Sequence, residues 1–396
     1  MQEWCNEERE CTHLTLWNRY EVNVKLLVQP GDGITPLLTA IDNARKSVEI
    51  LIFRSDRAEL ERALAKAVRR GVHVHALIAF TNRGGEKNLR RLESRLLAKG
   101  ITVGRTNDDL VRYHAKMMII DRSVLYLLAF NFTYLDIDHS RTFGLMIREK
   151  KLVREAIRLF EADSRRQPYS ARAGTFVISP QNARPQLAAF IRRAKKQLVV
   201  YNHDISDPAM IHLLEERQRA GVDLRIVGTV QRRGADLPVR RAQLRVHTRT
   251  MVRDRREVFI GSQGLREIEL DARREVGVIF QNPTIAARIL RVFDEDWAAA
   301  EASGVKAGDS DAPPAQRVAK RVAKAMVKEL PPVGPMLKEA MKEMLPNAAT
   351  IEMDRQELED TVKHVVKQAV KQAVRDVVEG SVETPAAPPE ESKVIQ

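Results

Sequence analysis

Two short segments of this chain place a cation two residues after a histidine. The first reads HAKMMIID, with His114, Lys116 and, after four apolar residues, Asp121; the second is a degraded echo with His247, Arg249 and Asp254. Alternate residues of an extended strand share a face, so each histidine is expected to stand beside its own cation. An imidazole is a nucleophile when neutral and an acid when protonated, and it changes between the two near neutral pH. A fixed positive charge beside it offsets the negative charge on phosphoryl oxygens. Two such pairs brought face to face would serve both sides of an in-line displacement at phosphorus.

The two segments are matched parts of an internal duplication. His114 and His247, Asp121 and Asp254, Gly144 and Gly277, Phe160 and Phe293, and Asp163 and Asp296 are all separated by 133 positions. Earlier in each copy the separation is 150, at Pro30 and Pro180, Ala44 and Ala194, and Gly71 and Gly221. The second copy therefore lacks about seventeen residues in its middle, a length that one surface helix or loop accounts for.

HxK(x)4D followed by a GSxN-like turn resembles the HKD motif of the phospholipase D superfamily, and the duplicated arrangement spans roughly residues 22 to 300. The resemblance implies an α/β fold: two tandem α/β/α sandwiches related by a pseudo-twofold, with one active site between them. It implies a phosphodiesterase that works through a phosphohistidine without a metal or cofactor, His114 being the nucleophile, His247 the acid and base, and Lys116 and Arg249 the phosphate clamp. Asp121 and Asp254 complete the motifs, in a catalytic or a turn-forming capacity. The turn after the first motif reads Leu128, Ala129, Phe130, Asn131, and the turn after the second reads Gly261, Ser262, Gln263, Gly264. Asn131, Ser262 and Gly261 are the expected phosphate contacts, since neither copy keeps the full pattern. Glu275 occupies the place where the family carries an acidic residue that orients a catalytic histidine. Its counterpart in the first copy is Thr142. Being in the second copy, Glu275 also leaves open the reversed assignment, with His247 as nucleophile.

The elements that must position these residues alternate between strand and helix. In the first copy VKLLVQ, VEILIF and VHVHALIAF read as buried strands, separated by a helix that Thr35 would cap and Pro36 would enter, and by another over Glu59 to Arg70. The second copy repeats the order with TFVIS, a helix ending near Lys196, QLVVY, a helix begun by Asp207 and Pro208, and VDLRIVGTV. The expected organisation is an extension over residues 1–21, domains over 22–165 and 175–300, and a linker with an amphipathic helical tail over 301–396. That tail suits oligomerisation, or peripheral contact with a membrane.

Lys and Arg number 66 against 53 Asp and Glu, a formal charge of +13, which favours anionic partners. A phospholipid or another phosphodiester is the expected substrate. Nucleic acid is the second choice, because aromatic residues make up only 5% of the chain and none interleave with the basic runs. A third reading is a phosphate-binding duplicate without activity, as the lost Ser, Asn and Lys would allow. Cys5 and Cys11 do not make a disulfide framework, and no secretory signal or membrane-length apolar run is visible, so the expected location is the cytoplasm, with peripheral membrane contact.

Overall fold

The computed structural model describes residues 24–81, 86–231 and 236–302. The first copy runs β1 (Val24–Gln29), α1 (Thr35–Asp42), β2 (Ser47–Ile52), α2 (Ala58–Arg69), β3 (His73–Ile78), α3 (Glu86–Leu97), β4 (Thr102–Arg105), β5 (Arg112–Tyr113), β6 (Met117–Ile120), β7 (Val124–Leu128), α4 (Tyr134–Asp138), β8 (Ser140–Ile147) and α5 (Lys150–Ser164). The second runs β9 (Phe176–Ser179), α6 (Ala183–Arg192), β10 (Gln197–Ile205), α7 (Pro208–Arg219), β11 (Asp223–Val230), β12 (Val239–Arg240), β13 (Arg245–Val246), β14 (Arg249–Arg253), β15 (Glu257–Gly261), α8 (Glu267–Asp271), β16 (Arg273–Gln281) and α9 (Pro283–Ala302). The residues missing from the second copy correspond largely to α3, which has no counterpart among the described residues between β11 and β12.

Each copy builds one mixed sheet, in the order β1-β8-β7-β6-β2-β3-β4 and, equivalently, β9-β16-β15-β14-β10-β11-β12. Val, Ile and Leu fill the central strands because helices cover both faces of each sheet. The outer face of the first sheet packs on α1 to α4 around Leu37, Ile41, Leu64 and Ile137, and that of the second on α6 to α8 around Leu187, Phe190, Ile211 and Leu270. A third, shared core takes residues from both sheets together with α5 and α9, including Phe143, Leu159, Tyr201, Val278 and Phe293. Both copies thus form α/β/α sandwiches that meet through one apolar interior.

Two short strands cross between the copies. Arg112 and Tyr113 of β5 pair in parallel with Arg273 and Arg274 of β16, while Arg245 and Val246 of β13 pair with Ser140 and Arg141 of β8. Every residue in the second set of pairs is related to one in the first by the repeat of 133, so the crossing is itself pseudo-symmetric. The crossing positions the chemistry, because His114 and His247 are the next residues along.

Local details depart from the sequence reading at three places. Thr35 begins α1 but does not cap it: Ile34 holds the N-cap position, and no side chain caps the helix. Helix α6 ends at Arg192, short of Lys196. The motif aspartates Asp121 and Asp254 lie at the far ends of β6 and β14 from the histidines, in hairpin turns where φ is 50° at both aspartates and 52° and 60° at the following arginines. Asp121 accepts backbone N–H groups of Arg45, Lys46 and Ser47, and Asp254 those of Lys195, Lys196 and Gln197. Burial alone would push either carboxyl up, but these N–H donors together hold both below the usual carboxylate range. Each aspartate therefore ties a hairpin to the start of the neighbouring strand, in the turn-forming one of the two capacities expected of them. Asp121→Ala is expected to lower stability by about 1–2 kcal/mol, the scale of a charged cap, while changing turnover less than threefold. Thermal melting alongside an activity assay checks both.

The amino-terminal extension with Cys5 and Cys11 and the amphipathic tail lie outside the described residues. Among the described residues, no helix is long and apolar enough to cross a membrane.

Candidate active site

The segment from His114 to Lys116 links β5, attached to the second sheet, with β6 in the first. Its mirror image links β13, attached to the first sheet, with β14 in the second. The backbone N–H of His114 donates to the carbonyl of Arg274 at 2.8 Å, and that of His247 to the carbonyl of Arg141 at 3.0 Å. Each of those arginines is anchored by an aspartate of the opposite copy's last helix. Arg274 pairs with Asp163 of α5 at 3.2 Å, and Arg141 pairs with Asp296 of α9 through Nε at 2.7 Å and Nη2 at 3.0 Å. A buried ion pair thus stands behind each histidine.

His114 is 7% exposed and packs edge-on against Phe53, with ring centroids 4.5 Å apart. Its Nδ1 is 2.9 Å from both oxygens of Glu275, which is fully buried in β16 of the other copy. Glu275 therefore serves His114, and the reversed assignment loses its motive. A carboxylate accepts from Nδ1–H, which leaves the Nε2 lone pair outward. Lys116 places its Nζ 2.8 Å from that Nε2 and 3.0 Å from Nδ1, and only 1% of the residue is exposed. Burial and the neighbouring cations Lys116 and Arg249 hold the His114 imidazole well below its ordinary value, so it is neutral at physiological pH. The same burial pushes the Lys116 ammonium down to about 7, against the attraction of Glu275, and pushes the Glu275 carboxyl up to about 7, against the pull of Lys116.

The second half-site is built differently. His247 Nε2 faces Asp136 Oδ2 of α4 at 3.1 Å, and Nδ1 accepts from Arg245 Nη2 at 3.2 Å. Arg245 also donates to Asp136 Oδ1 at 2.7 Å and to Ser140 Oγ at 2.8 Å. Burial pulls the His247 imidazole down to about 4, opposed chiefly by Asp136. Asp136 is itself held far below the usual carboxylate range: burial opposes this, and His247 and Arg245 outweigh it. A proton on His247 would lower the affinity of His114 for its own, so the two imidazoles are electrostatically coupled.

Arg249 does not reproduce Lys116. Its guanidinium donates to the His247 carbonyl at 2.9 Å and pairs with Glu269 at 3.4 Å, with 5% of the side chain exposed. Glu269 also receives Arg273 at 3.3 Å and the backbone N–H of Gly264 at 2.7 Å. The charge that replaces the second lysine is thus turned into the protein beneath the site.

The expected phosphate contacts also separate. Asn131 remains at the site: its Nδ2 donates to Asp136 at 2.6 Å and lies 3.5 Å from His247 Nε2, while its buried Oδ1 has no protein partner. Ser262 Oγ accepts from the Val276 backbone at 3.1 Å and favours the ionised form of Glu275, which places it behind His114. Gly261 is explained by packing. A Cβ there would come within 2.8 Å of Gly277 Cα and 2.9 Å of the Phe259 ring, so the residue allows two strands and a phenyl ring to close up.

Asp136 and Arg245 are the site residues that the motif letters do not name. A signal exists: the repeat relates Asp136 to Glu269 and Arg245 to Arg112, preserving charge at both places. Among the described residues, no group of three or more His, Cys, Asp or Glu side chains is arranged to hold a metal ion.

The family described as "Cardiolipin synthase, PLD-like domain" matches residues 37–164 and 187–297, one segment in each copy. The chain belongs to the phospholipase D superfamily. None of the curated proteins compared matches it by sequence. Among solved structures, polyphosphate kinase from Porphyromonas gingivalis is similar with a TM-score of 0.57 and 19% identity over 68% of this chain and 46% of the kinase, so the phospholipase D-like chain spans about half of that protein. Phosphatidylserine synthase from Haemophilus influenzae Rd KW20 has a TM-score of 0.52 and 12% identity, covering 72% of this chain and 89% of the synthase. Nuc, a phospholipase D family member from Salmonella typhimurium, is covered in full by 39% of this chain, at 23% identity and a TM-score of 0.33. At these identities the likenesses to the kinase and the synthase establish a shared fold.

The charge balance of the phospholipase D-like site predicts how it binds anions. As pH falls through 7, Lys116 gains a proton and Glu275 loses its negative charge, and both changes make the pocket more positive. A simple dialkyl phosphate, whose own charge is constant between pH 6 and 8, should bind about tenfold more tightly at pH 6 than at pH 8. Equal affinity at the two pH values, measured by calorimetry, would contradict this assignment.

Proposed function

We propose that the protein is a phosphodiesterase of phospholipase D type that hydrolyses or transfers the phosphatidyl group of a phospholipid. The observation that carries this reading is the buried trio of His114, Lys116 and Glu275, assembled from both copies. In the first step His114 Nε2 attacks phosphorus as Lys116 moves from the imidazole to a phosphoryl oxygen. The P–O bond to the leaving alcohol breaks, and that oxygen takes a proton from His247, which acquires it from solvent when the anionic diester binds. In the second step His247 removes a proton from water or an acceptor alcohol, whose oxygen displaces His114 from phosphorus. Glu275 fixes the His114 ring throughout and stabilises the charge that it acquires.

The description of the matching family and the positive net charge of the chain support a lipid substrate. The test is turnover of phosphatidylcholine, phosphatidylglycerol and cardiolipin in vesicles, beside single-stranded DNA and an aryl phosphodiester. Release of a lipid headgroup supports the reading. Cleavage of DNA with no lipid turnover moves the substrate to nucleic acid, and no turnover of any diester leaves a binding protein. Because the positive charge of the site comes from Lys116 and arginine, activity should stay within twofold on addition of EDTA. A complete loss restored by a divalent cation would mean that a metal supplies the Lewis acid.

A further inference from the structure

The first half-site has its family carboxylate, Glu275, but the second has Thr142 at the corresponding position, with a hydroxyl that finds no partner. His247 would be unsupported if nothing else replaced that group. We infer that Asp136 and Arg245 complete the second half-site, Asp136 positioning His247 for acid and base work and Arg245 supplying the second cation for the phosphodiester. This rests on the proposed function and adds two residues to it.

The geometry carries the assignment. Asp136 is 2% exposed, and besides His247 its carboxylate receives the backbone N–H of Asn131 at 2.9 Å, so α4 and the turn before it hold it in place. With one ring nitrogen committed to Asp136, the other is left to meet the substrate, and in the resting protein Arg245 covers that nitrogen. Arg245 is 42% exposed, against 5% for Arg249. Of the two arginines it is the one able to turn toward an anion, and doing so uncovers His247. The phosphate clamp expected of Arg249 passes to Arg245, while Arg249 supports the His247 carbonyl from below. As Arg245 turns away and the anionic diester arrives, the uncovered nitrogen takes up a proton from solvent; in the first step the leaving oxygen takes that proton from it, and in the second step water returns one.

The charged and titratable groups bearing on His247 are Asp136 from α4, Arg245 and Arg249 from β13 and β14, and His114 from the facing link. Asp136 is the anion among them, so removing its charge lowers the affinity of His247 for a proton. Asp136→Asn should move the His247 titration, followed by imidazole NMR in the full-length protein, down by one pH unit or more. It should slow cleavage of a diester with an alkyl leaving group about 10²-fold, and its alkaline limb should fall to lower pH. With a p-nitrophenyl leaving group, which needs no proton, release of the first product should slow less than threefold. Arg245→Ala, a change at a partly exposed side chain, should raise KM for either diester about tenfold.

An unmoved His247 titration, or equal losses with both leaving groups at an unshifted pH profile, would overturn the positioning role. An unchanged KM in Arg245→Ala would overturn the cation role. The NMR titration needs no turnover. If the wild-type protein cleaves nothing, the proposed function fails on its own account, and the titration still decides whether Asp136 governs His247.

Discussion

His114→Ala should abolish diester turnover, by at least about 10⁴-fold, and should abolish it for aryl and alkyl leaving groups alike. The nucleophile is needed whatever the leaving group. His247→Ala should behave differently. With an aryl diester it should release one equivalent of phenol per chain and then stall, because the first step needs no acid while the second still needs a base. The burst of one, and not two, follows from one site built by both copies. Since His114 is buried against Phe53, its removal also leaves a small cavity, and a melting curve should accompany the assay. A His114→Ala protein that keeps its fold and turns over substrate would remove the nucleophile from the mechanism.

Glu275→Gln is the second large effect expected. An amide can donate to His114 Nδ1 through its NH2 group, which would put the ring proton on Nε2 and block the lone pair that attacks. The comparable change of carboxylate to amide behind the histidine of a Ser-His-Asp triad costs about 10⁴-fold, and a loss of about 10²- to 10⁴-fold is expected here. The sign of its pH dependence follows from burial, which pushes the Glu275 carboxyl up to about 7. The ionised form accepts from Nδ1–H more strongly and stabilises the charge that His114 acquires, so ionisation of Glu275 favours phosphoenzyme formation as pH rises through 7, while deprotonation of Lys116 over the same range opposes it. The Gln variant lacks the first effect and keeps the second, so the ratio of wild-type to variant rate should widen between pH 6 and pH 8. A ratio that stays constant would mean that Glu275 acts only as packing.

What could be read from the sequence was whatever the repeat preserves. The constant separation of 133 residues identified His114 and His247 as a pair and implied two copies of one sandwich, and the structure has two sheets of the same strand order. The shift to 150 earlier in the chain located a missing element, which is largely α3. What could not be read depends on contacts between copies. Asp136 reaches His247 because β13 crosses to pair with β8, and no spacing within one copy encodes that pairing. Glu275 was visible as an acid in the right place, but only the matching crossing of β5 to β16 shows that it serves His114. At Asp121 and Asp254 the recurrence goes with tight hairpin turns, the turn-forming one of the two capacities expected, and Gly261 goes with the close approach of two strands. Arg249 kept the charge of a lysine, but its longer, forked side chain finds Glu269 and a carbonyl below the site.

The most direct measurement is to locate the covalent adduct formed from an aryl phosphodiester in the His247→Ala protein, quenched in alkali and mapped by peptide mass spectrometry. The predicted result is one retained alkylphosphoryl group per chain, attached to His114. An adduct on any other residue, or stoichiometric phenol release with no adduct at all, would contradict a phosphohistidine formed by His114 in a site shared between the two copies.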